Sequence, residues 1–204
     1  PAAADEYLSP WGWPDEAASW SWAGSEGSHL TVRVFAKGCS EATLRINNVT
    51  VATVPFAPNF TAVAAVPYAA GTLEARATCA DQSRSASLAT AGPPAPLRLA
   101  ADRANISHSP AALAYVTATL LDAEGVRVPA SGVRLNFSVA GVGRLIATGS
   151  GDPADSSSFV APARATWQGR ATAVLQPAGD AAGRITLTAR APALPPASIT
   201  VDTY

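Results

Sequence analysis

Apolar and polar residues alternate with a period of two along nearly the whole chain, in short segments bounded by Gly, Pro, Asn or Asp. Because successive side chains of a β-strand point to opposite faces, this alternation predicts half-buried strands rather than helices. A first series is predicted at residues 30–35, 42–46, 49–54, 60–66, 72–79 and 85–90. A second series is predicted at residues 96–100, 114–122, 133–140, 143–148, 169–177, 183–191 and 198–201. Asn47-Asn48 predicts a tight hairpin turn, since Asn tolerates a positive φ.

The segment Ala91-Gly92-Pro93-Pro94-Ala95-Pro96 separates the two series and has the composition of a stiff linker. We therefore predict an all-β chain of two tandem immunoglobulin-like antiparallel β-sandwich domains. The first covers residues 1–92, with a Trp-rich lead-in segment, and the second covers residues 93–204. In the second domain, residues 122–125 predict a turn and residues 151–162 a long exposed loop.

The composition limits the partners of the chain. The formal net charge is −1 with both signs scattered, so no basic patch for nucleic acid and no polybasic membrane-binding segment is expected. No stretch approaches the roughly 18 apolar residues of a membrane helix, so no membrane insertion is expected. Residues 1–4 lack the basic and apolar regions of a signal peptide, which indicates a piece of a longer protein.

Two features favour a secreted, oxidised and glycosylated protein. Cys39 and Cys79 lie next to strands of the first series, so strand pairing predicts a disulfide; two unrelated buried thiols are the alternative. Four Asn-x-Ser/Thr sequons also occur, none with Pro in the middle position. The candidate N-glycosylation sites are Asn48, Asn59, Asn105 and Asn136.

Tryptophans are concentrated near the start of the chain, where Trp11, Trp13, Trp20 and Trp22 fall in two pairs of two-residue spacing. On an extended segment each pair projects to one side. Aligned aromatic faces are typical of carbohydrate-binding surfaces, so these four residues are candidates for sugar stacking. The alternative is that they pack against the domain's own core or against a missing part of the protein.

The second domain contains ordered motifs that carry a family resemblance. Residues 135–153, LNFSVAGVGRLIATGSGDP, are similar to the F-S-V-x-G-x-G and G-N-G-D-P signature of the last domain of many family 2 glycoside hydrolases. Residues 164–171, RATWQGRA, resemble its R-x-A-F-N-G-x-A segment, and residues 185–189 its I-T-L-T-A strand. Residues 114–129 look like the strand, D-x-x-G turn and V-P corner of invasin-like modules. Ser150 and Gln168 depart from the family's asparagines.

The first domain is similar to the preceding module of the same enzymes. Residues 20–24, WSWAG, resemble the H-W-N-W-x-G segment that follows the catalytic barrel, with Ser19 and Ser21 in place of the His and Asn. Residues 42–48 resemble the V-E-L-F-L-N-G hairpin, and residues 66–73 the V-P-Y-x-P-G-T-L corner. Residues 89–95 match the T-A-G-x-P-A linker.

The resemblance implies that these are non-catalytic C-terminal modules of a β-galactosidase-like hydrolase. A retaining glycosidase needs two carboxyl groups roughly 5 Å apart, and in this family both belong to the barrel, the implied missing partner. We assign no catalytic residue and expect no cofactor. Glu74, beside Arg76, is expected to form a cross-strand surface pair.

Metal chemistry is not expected either. His29 and His108 have no metal-ligand neighbours. Asp152 and Asp155 could ligate calcium, but a loop held by Asx-type hydrogen bonds is the preferred interpretation, so no metal site is predicted.

Scaffolding or substrate positioning is therefore the leading functional hypothesis. A carbohydrate-binding or adhesive immunoglobulin-like protein without hydrolase activity is the alternative, and a role in an extracellular assembly also stays open. The sequence upstream of Pro1 would separate the first two, because a barrel with its two glutamates supports only the hydrolase.

Overall fold

A computed structural model describes residues 16–179 and 181–204, and this part of the chain consists of strands and loops without an α-helix. No helix that could span a membrane is therefore found among the described residues. The chain divides into two compact units, the first ending at Thr90 and the second covering Ala91–Tyr204. The predicted boundary after residue 92 lies close to this division.

The first unit has two sheets in which every pairing is antiparallel. Its strands are β1 (His29–Phe35), β2 (Cys39–Ile46), β3 (Val49–Pro55), β4 (Thr61–Pro67), β5 (Thr72–Cys79) and β6 (Ser83–Ala89). Strands β1 and β4 form one sheet, and the other has the order β3-β2-β5-β6. The alternating apolar residues of both sheets meet in a core around Leu44, Val66 and Trp20, which removes their surface from water.

The second unit is larger and places a five-stranded sheet against a four-stranded one. Its strands are β7 (Leu97–Ala101), β8 (Asn105–Ile106), β9 (Ala114–Leu120), β10 (Arg134–Gly141), β11 (Gly143–Gly149), β12 (Ala163–Ala165), β13 (Arg170–Pro177), β14 (Gly183–Arg190) and β15 (Ala197–Thr203). The sheet orders are β12-β10-β14-β15-β8 and β11-β13-β9-β7. Leu120, Leu135, Leu175 and Leu187 are fully buried between them.

The predicted all-β immunoglobulin-like fold is confirmed, and each predicted strand has an observed counterpart whose ends differ by a few residues. The hairpin turn is also confirmed, because Asn47 and Asn48 have φ angles of 49° and 68°. Strands β8 and β12 were not predicted, since two or three residues carry no measurable alternation. Strand β8 pairs in parallel with β15, so the second unit is not purely antiparallel.

The predicted disulfide is present in the structure and joins Cys39 to Cys79. The two residues face each other directly in the pairing of β2 with β5. The bond therefore links two neighbouring strands of the four-stranded sheet, at the end remote from the Asn47-Asn48 turn.

Candidate functional site

The tryptophan candidates have different environments. Trp11 and Trp13 lie outside the described residues. Trp20 is only 2% exposed, its Nε1 donates a hydrogen bond to the carbonyl of Ala69 at 3.0 Å, and its ring meets Tyr68 edge to face with centroids 5.0 Å apart. Trp20 therefore packs in the core of its own unit, where both faces of its ring are covered. Trp22 is 41% exposed, and carbohydrate binding there stays a prediction.

Replacing Trp20 with Phe is expected to lower the free energy of unfolding of the first unit by about 1–2 kcal/mol, because it removes a partly buried hydrogen bond and part of a packed ring. Trp22→Phe is the matched control and should change that free energy by less than about 0.5 kcal/mol. Urea unfolding with hydrogen exchange of the β4 and β5 amides measures both. Equal effects of the two substitutions would contradict the core role of Trp20.

The four sequon asparagines are all exposed, including Asn136, which lies in the interior strand β10 but points outward. Asn48 occupies the β2–β3 turn, Asn59 precedes β4 and Asn105 begins β8. Exposure is what a glycan needs, and modification of these asparagines stays a prediction.

Glu74 forms the expected cross-strand surface pair, but its partner is Arg45 rather than a residue of its own strand. The Arg45 Nη1 to Glu74 Oε2 distance is 3.7 Å, and both side chains are partly exposed. The two residues are direct register partners of β2 and β5. The pair belongs to the sheet surface and carries no catalytic geometry.

Asn47 fastens the corner that leads into β5. Its Nδ2 donates to the carbonyl of Ala70 at 2.9 Å, and its Oδ1 accepts the Thr72 N–H at 2.9 Å. Gly71 lies between these contacts with a φ of 127°, and a Cβ there would clash with the Asn47 side chain. The hairpin and corner motifs of the first unit therefore form one interlocked structure.

Asp122 is a buried carboxylate that holds the linker and the adjacent turn together. Its Oδ2 accepts the Gly92 N–H at 2.8 Å, while Oδ1 accepts the N–H groups of Glu124 and Val126 at 3.1 and 2.7 Å. The Gly92 hydrogen bond is the largest cause lowering the pKa of Asp122, with burial opposing it. The predicted turn at residues 122–125 therefore also fixes the position of the linker through the hydrogen bond from Gly92 to Asp122.

Arg164 is a charged residue of the second unit whose side chain is only 1% exposed. All three guanidinium nitrogens donate hydrogen bonds, to Asp155 Oδ2 at 2.5 Å, Ser157 Oγ at 2.6 Å, the carbonyls of Thr148 and Ser158 at 2.8 Å, and Thr148 Oγ1 at 3.3 Å. These contacts fix the loop between β11 and β12. Sequence reasoning missed this role, although Arg164 opens a recognised motif just after the long loop.

Within that loop the aspartates cap turns, as the preferred interpretation expected. Asp152 Oδ1 accepts the Ala154 N–H, and Asp155 Oδ1 accepts the Ser157 N–H, both at 2.9 Å. The Ser157 hydroxyl and then Arg164 hold the pKa of Asp155 at about 2, below its ordinary value of 3.8. Among the described residues, no group of three or more His, Cys, Asp or Glu side chains has the arrangement of a metal site.

The lowered pKa of Asp155 gives the loop a defined pH dependence. A carboxyl whose folded-state pKa is depressed stabilises the fold above its unfolded pKa, near 3.8, and loses that contribution as pH falls through about 2. Thermal stability of the chain should therefore fall between pH 4 and pH 2, and less steeply in Asp155→Asn. Calorimetry over this range measures it, with Asp202→Asn as a surface control. Identical slopes for the chain and Asp155→Asn would contradict the assignment.

The loop also bounds a half-open cleft of about 330 Å³. It is lined by Gly149, Ser150, Gly151, Asp152, Asp155, Phe159, Arg164 and Thr172. Phe159 at its rim is 67% exposed, which is unusual for a phenyl ring in a loop that is otherwise firmly held. This cleft is the candidate binding site of the second unit.

Each unit is thus an immunoglobulin-like sandwich whose motif residues fasten its loops. A model described as glycoside hydrolase family 2 C-terminal domain 5 matches residues 97–200, just over half of the chain. The chain belongs to glycoside hydrolase family 2, as a C-terminal part in which β7–β15 contain this domain.

Individual relatives agree with this assignment. The β-galactosidase BoGH2A of Bacteroides ovatus is 32% identical over 102 residues, which are 50% of this chain and 12% of that protein. A crystal structure of a family 2 glycosyl hydrolase from Bacteroides cellulosilyticus is 32% identical with a TM-score of 0.91, over 100% of this chain and 27% of that one. A β-glycosidase from Bacteroides vulgatus, 24% identical over 91% of this chain and 24% of its own, shares the fold with a TM-score of 0.83.

Proposed function

We propose that this chain is the non-catalytic C-terminal part of a secreted β-galactosidase-type hydrolase, in which it braces the catalytic barrel and positions the substrate cleft. The observation that carries the proposal is that polar side chains of the recognised motifs form hydrogen bonds that stabilise their own units. Asn47, Asp122 and Arg164 direct their polar atoms to hydrogen bonds within their own units. Such residues stabilise the conformation of their unit, and we assign catalysis to the barrel.

The substrate class is supported by the relation to a β-galactosidase and by membership of a hydrolase family. The chain spans about a quarter of the matched hydrolase structure from B. cellulosilyticus, and we assign the hydrolytic activity to parts of the parent protein outside it. The parent chain is therefore expected to hydrolyse a terminal β-linked galactoside. Assays with p-nitrophenyl β-galactoside, β-glucoside and β-glucuronide distinguish the sugars.

Bracing is tested by comparing the full parent protein with a version that lacks residues 91–204. The truncated protein should unfold at lower temperature and show a raised KM for p-nitrophenyl β-galactoside, because the barrel loses a supporting surface. The 204-residue chain by itself should release no p-nitrophenol. An unchanged melting temperature and KM after truncation, or hydrolysis by the chain alone, would refute the proposal.

Secretion is supported by the disulfide and by the exposure of all four sequon asparagines. The mature protein from its native source should change mobility on a gel when it is reduced, and again after enzymatic removal of N-glycans. Free thiols at both Cys39 and Cys79 in that protein would refute an oxidising compartment.

A further inference from the structure

The cleft between the β11–β12 loop and β13 combines three chemical features that can contact a ligand. An exposed phenyl ring, Phe159, lies at its rim, a carboxylate, Asp152, lies at its wall, and hydroxyls are supplied by Ser150 and Thr172. Its volume of about 330 Å³ is at the small end of the range of roughly 300–1,000 Å³ for small-molecule sites. It is therefore of a size for one or two six-membered rings.

The walls of this cleft are pre-organised. Arg164 ties Thr148, Asp155, Ser157 and Ser158 together with the hydrogen bonds described above, and its guanidinium carbon lies 5.4 Å from the centroid of the Phe159 ring. The Phe159 carbonyl also accepts the Thr148 N–H at 2.7 Å. An aromatic side chain held on a fixed loop loses little conformational entropy when a ligand covers it.

The charge of the cleft is negative. Arg164 is ion-paired with Asp155 and all its nitrogens already donate, so it offers no free positive charge. Asp152 uses Oδ1 for the Ala154 N–H, whereas its Oδ2 makes no hydrogen bond or ion pair with the described residues. The same holds for the Ser150 hydroxyl. The unused groups are thus a carboxylate oxygen that accepts hydrogen bonds and a hydroxyl that both donates and accepts.

We propose that this cleft binds a neutral pyranose, with its C–H face against Phe159 and its hydroxyls donating to Asp152 and exchanging hydrogen bonds with Ser150. The positively polarised C–H groups of a sugar ring complement the negative face of a phenyl ring. Sugar hydroxyls supply the donors that a free carboxylate oxygen requires. A uronic acid or a phosphate is disfavoured, because its charge would face Asp152 without a compensating cation.

The test is titration of the 204-residue chain with methyl β-galactoside, methyl β-glucoside and methyl β-glucuronide, followed by amide chemical shifts. One of the two neutral glycosides should shift the amides of Gly149, Ser150, Gly151 and Asp152 in a saturable way, and the glucuronide should bind at least about tenfold more weakly. Phe159→Ala and Asp152→Asn should each weaken binding by about tenfold or more.

Two matched variants control for general effects on the surface. Val160→Ala trims the exposed neighbour of Phe159, and Asp202→Asn removes an exposed carboxylate of β15; both should bind like the unaltered chain. The proposal is overturned if neither neutral glycoside shifts these amides at about 50 mM, a concentration on the order of a very weak dissociation constant. It is also overturned if the glucuronide binds as tightly as the neutral glycosides, or if Phe159→Ala and Asp152→Asn bind like the unaltered chain. Because no hydrolysis is measured, this outcome is independent of the parent's activity.

Discussion

Replacing Arg164 with Ala should lower the free energy of unfolding of the second unit by about 3–5 kcal/mol, since it leaves Asp155 and two carbonyl groups without their partner in a buried place. Arg164→Lys keeps the charge but has three N–H donors on one nitrogen in place of the five of the planar guanidinium, and should recover only part of this loss. The measurement is urea-dependent hydrogen exchange of the core amides of β13 and β14.

The control for Arg164 is Arg184→Ala, which removes an exposed arginine whose Nε lies 3.3 Å from Asp202 Oδ1. Exposed ion pairs contribute about 0–1 kcal/mol, so this variant should remain close to the unaltered chain. A loss for Arg164→Ala that is no larger than the loss for Arg184→Ala would show that the loop network does not support the sandwich.

Gly169→Ala is the second substitution with a large expected effect, about 2–5 kcal/mol in the unfolding free energy of the second unit. Gly169 has a φ of 77°, and a Cβ there would clash with the Val128 carbonyl oxygen, which is backbone and has little room to move. The cost combines the left-handed conformation, about 1–2 kcal/mol, with overpacking of about 1–3 kcal/mol.

Gly132→Ala separates these two contributions. Gly132 has a nearly identical φ of 81°, but a Cβ there would have no heavy atom within 4 Å. It should therefore cost only the conformational part. Calorimetric unfolding of both variants measures the difference, and equal costs would show that the approach of Val128 is not tight.

Strand positions could be predicted from the sequence because apolar and polar residues alternate along the long strands. In β13 the buried residues Ala171, Ala173 and Leu175 alternate with less buried ones, which is the period-two pattern that predicts a strand. The disulfide was predicted from two cysteines next to strands, but Cys39 begins β2, which pairs with β5, instead of following a strand that does so. The pairing of β8 with β15 could not be predicted, since a parallel contact between residues 105–106 and 202–203 depends on the whole sandwich being assembled.

The candidate cleft could not be found from the sequence for a related reason. Gly149 and Thr172 are register partners of β11 and β13, and the Arg164 hydrogen bonds hold the loop that carries Phe159 beside them. A single arginine near serines and aspartates looks like a surface residue in sequence. The tryptophans, by contrast, were conspicuous in sequence, yet the described one with the lowest exposure, Trp20, serves the core.

The position of β15 has a consequence for how the second unit is made in the cell. This strand lies between β14 and β8 and buries Val201 completely, so the five-stranded sheet has a gap until it arrives. It is also the last strand of the unit to leave the ribosome. During synthesis the first unit is complete while the second still exposes an open sheet edge and part of its core. An open edge can pair with strands of other chains, so we expect a chaperone to protect the chain most during this interval.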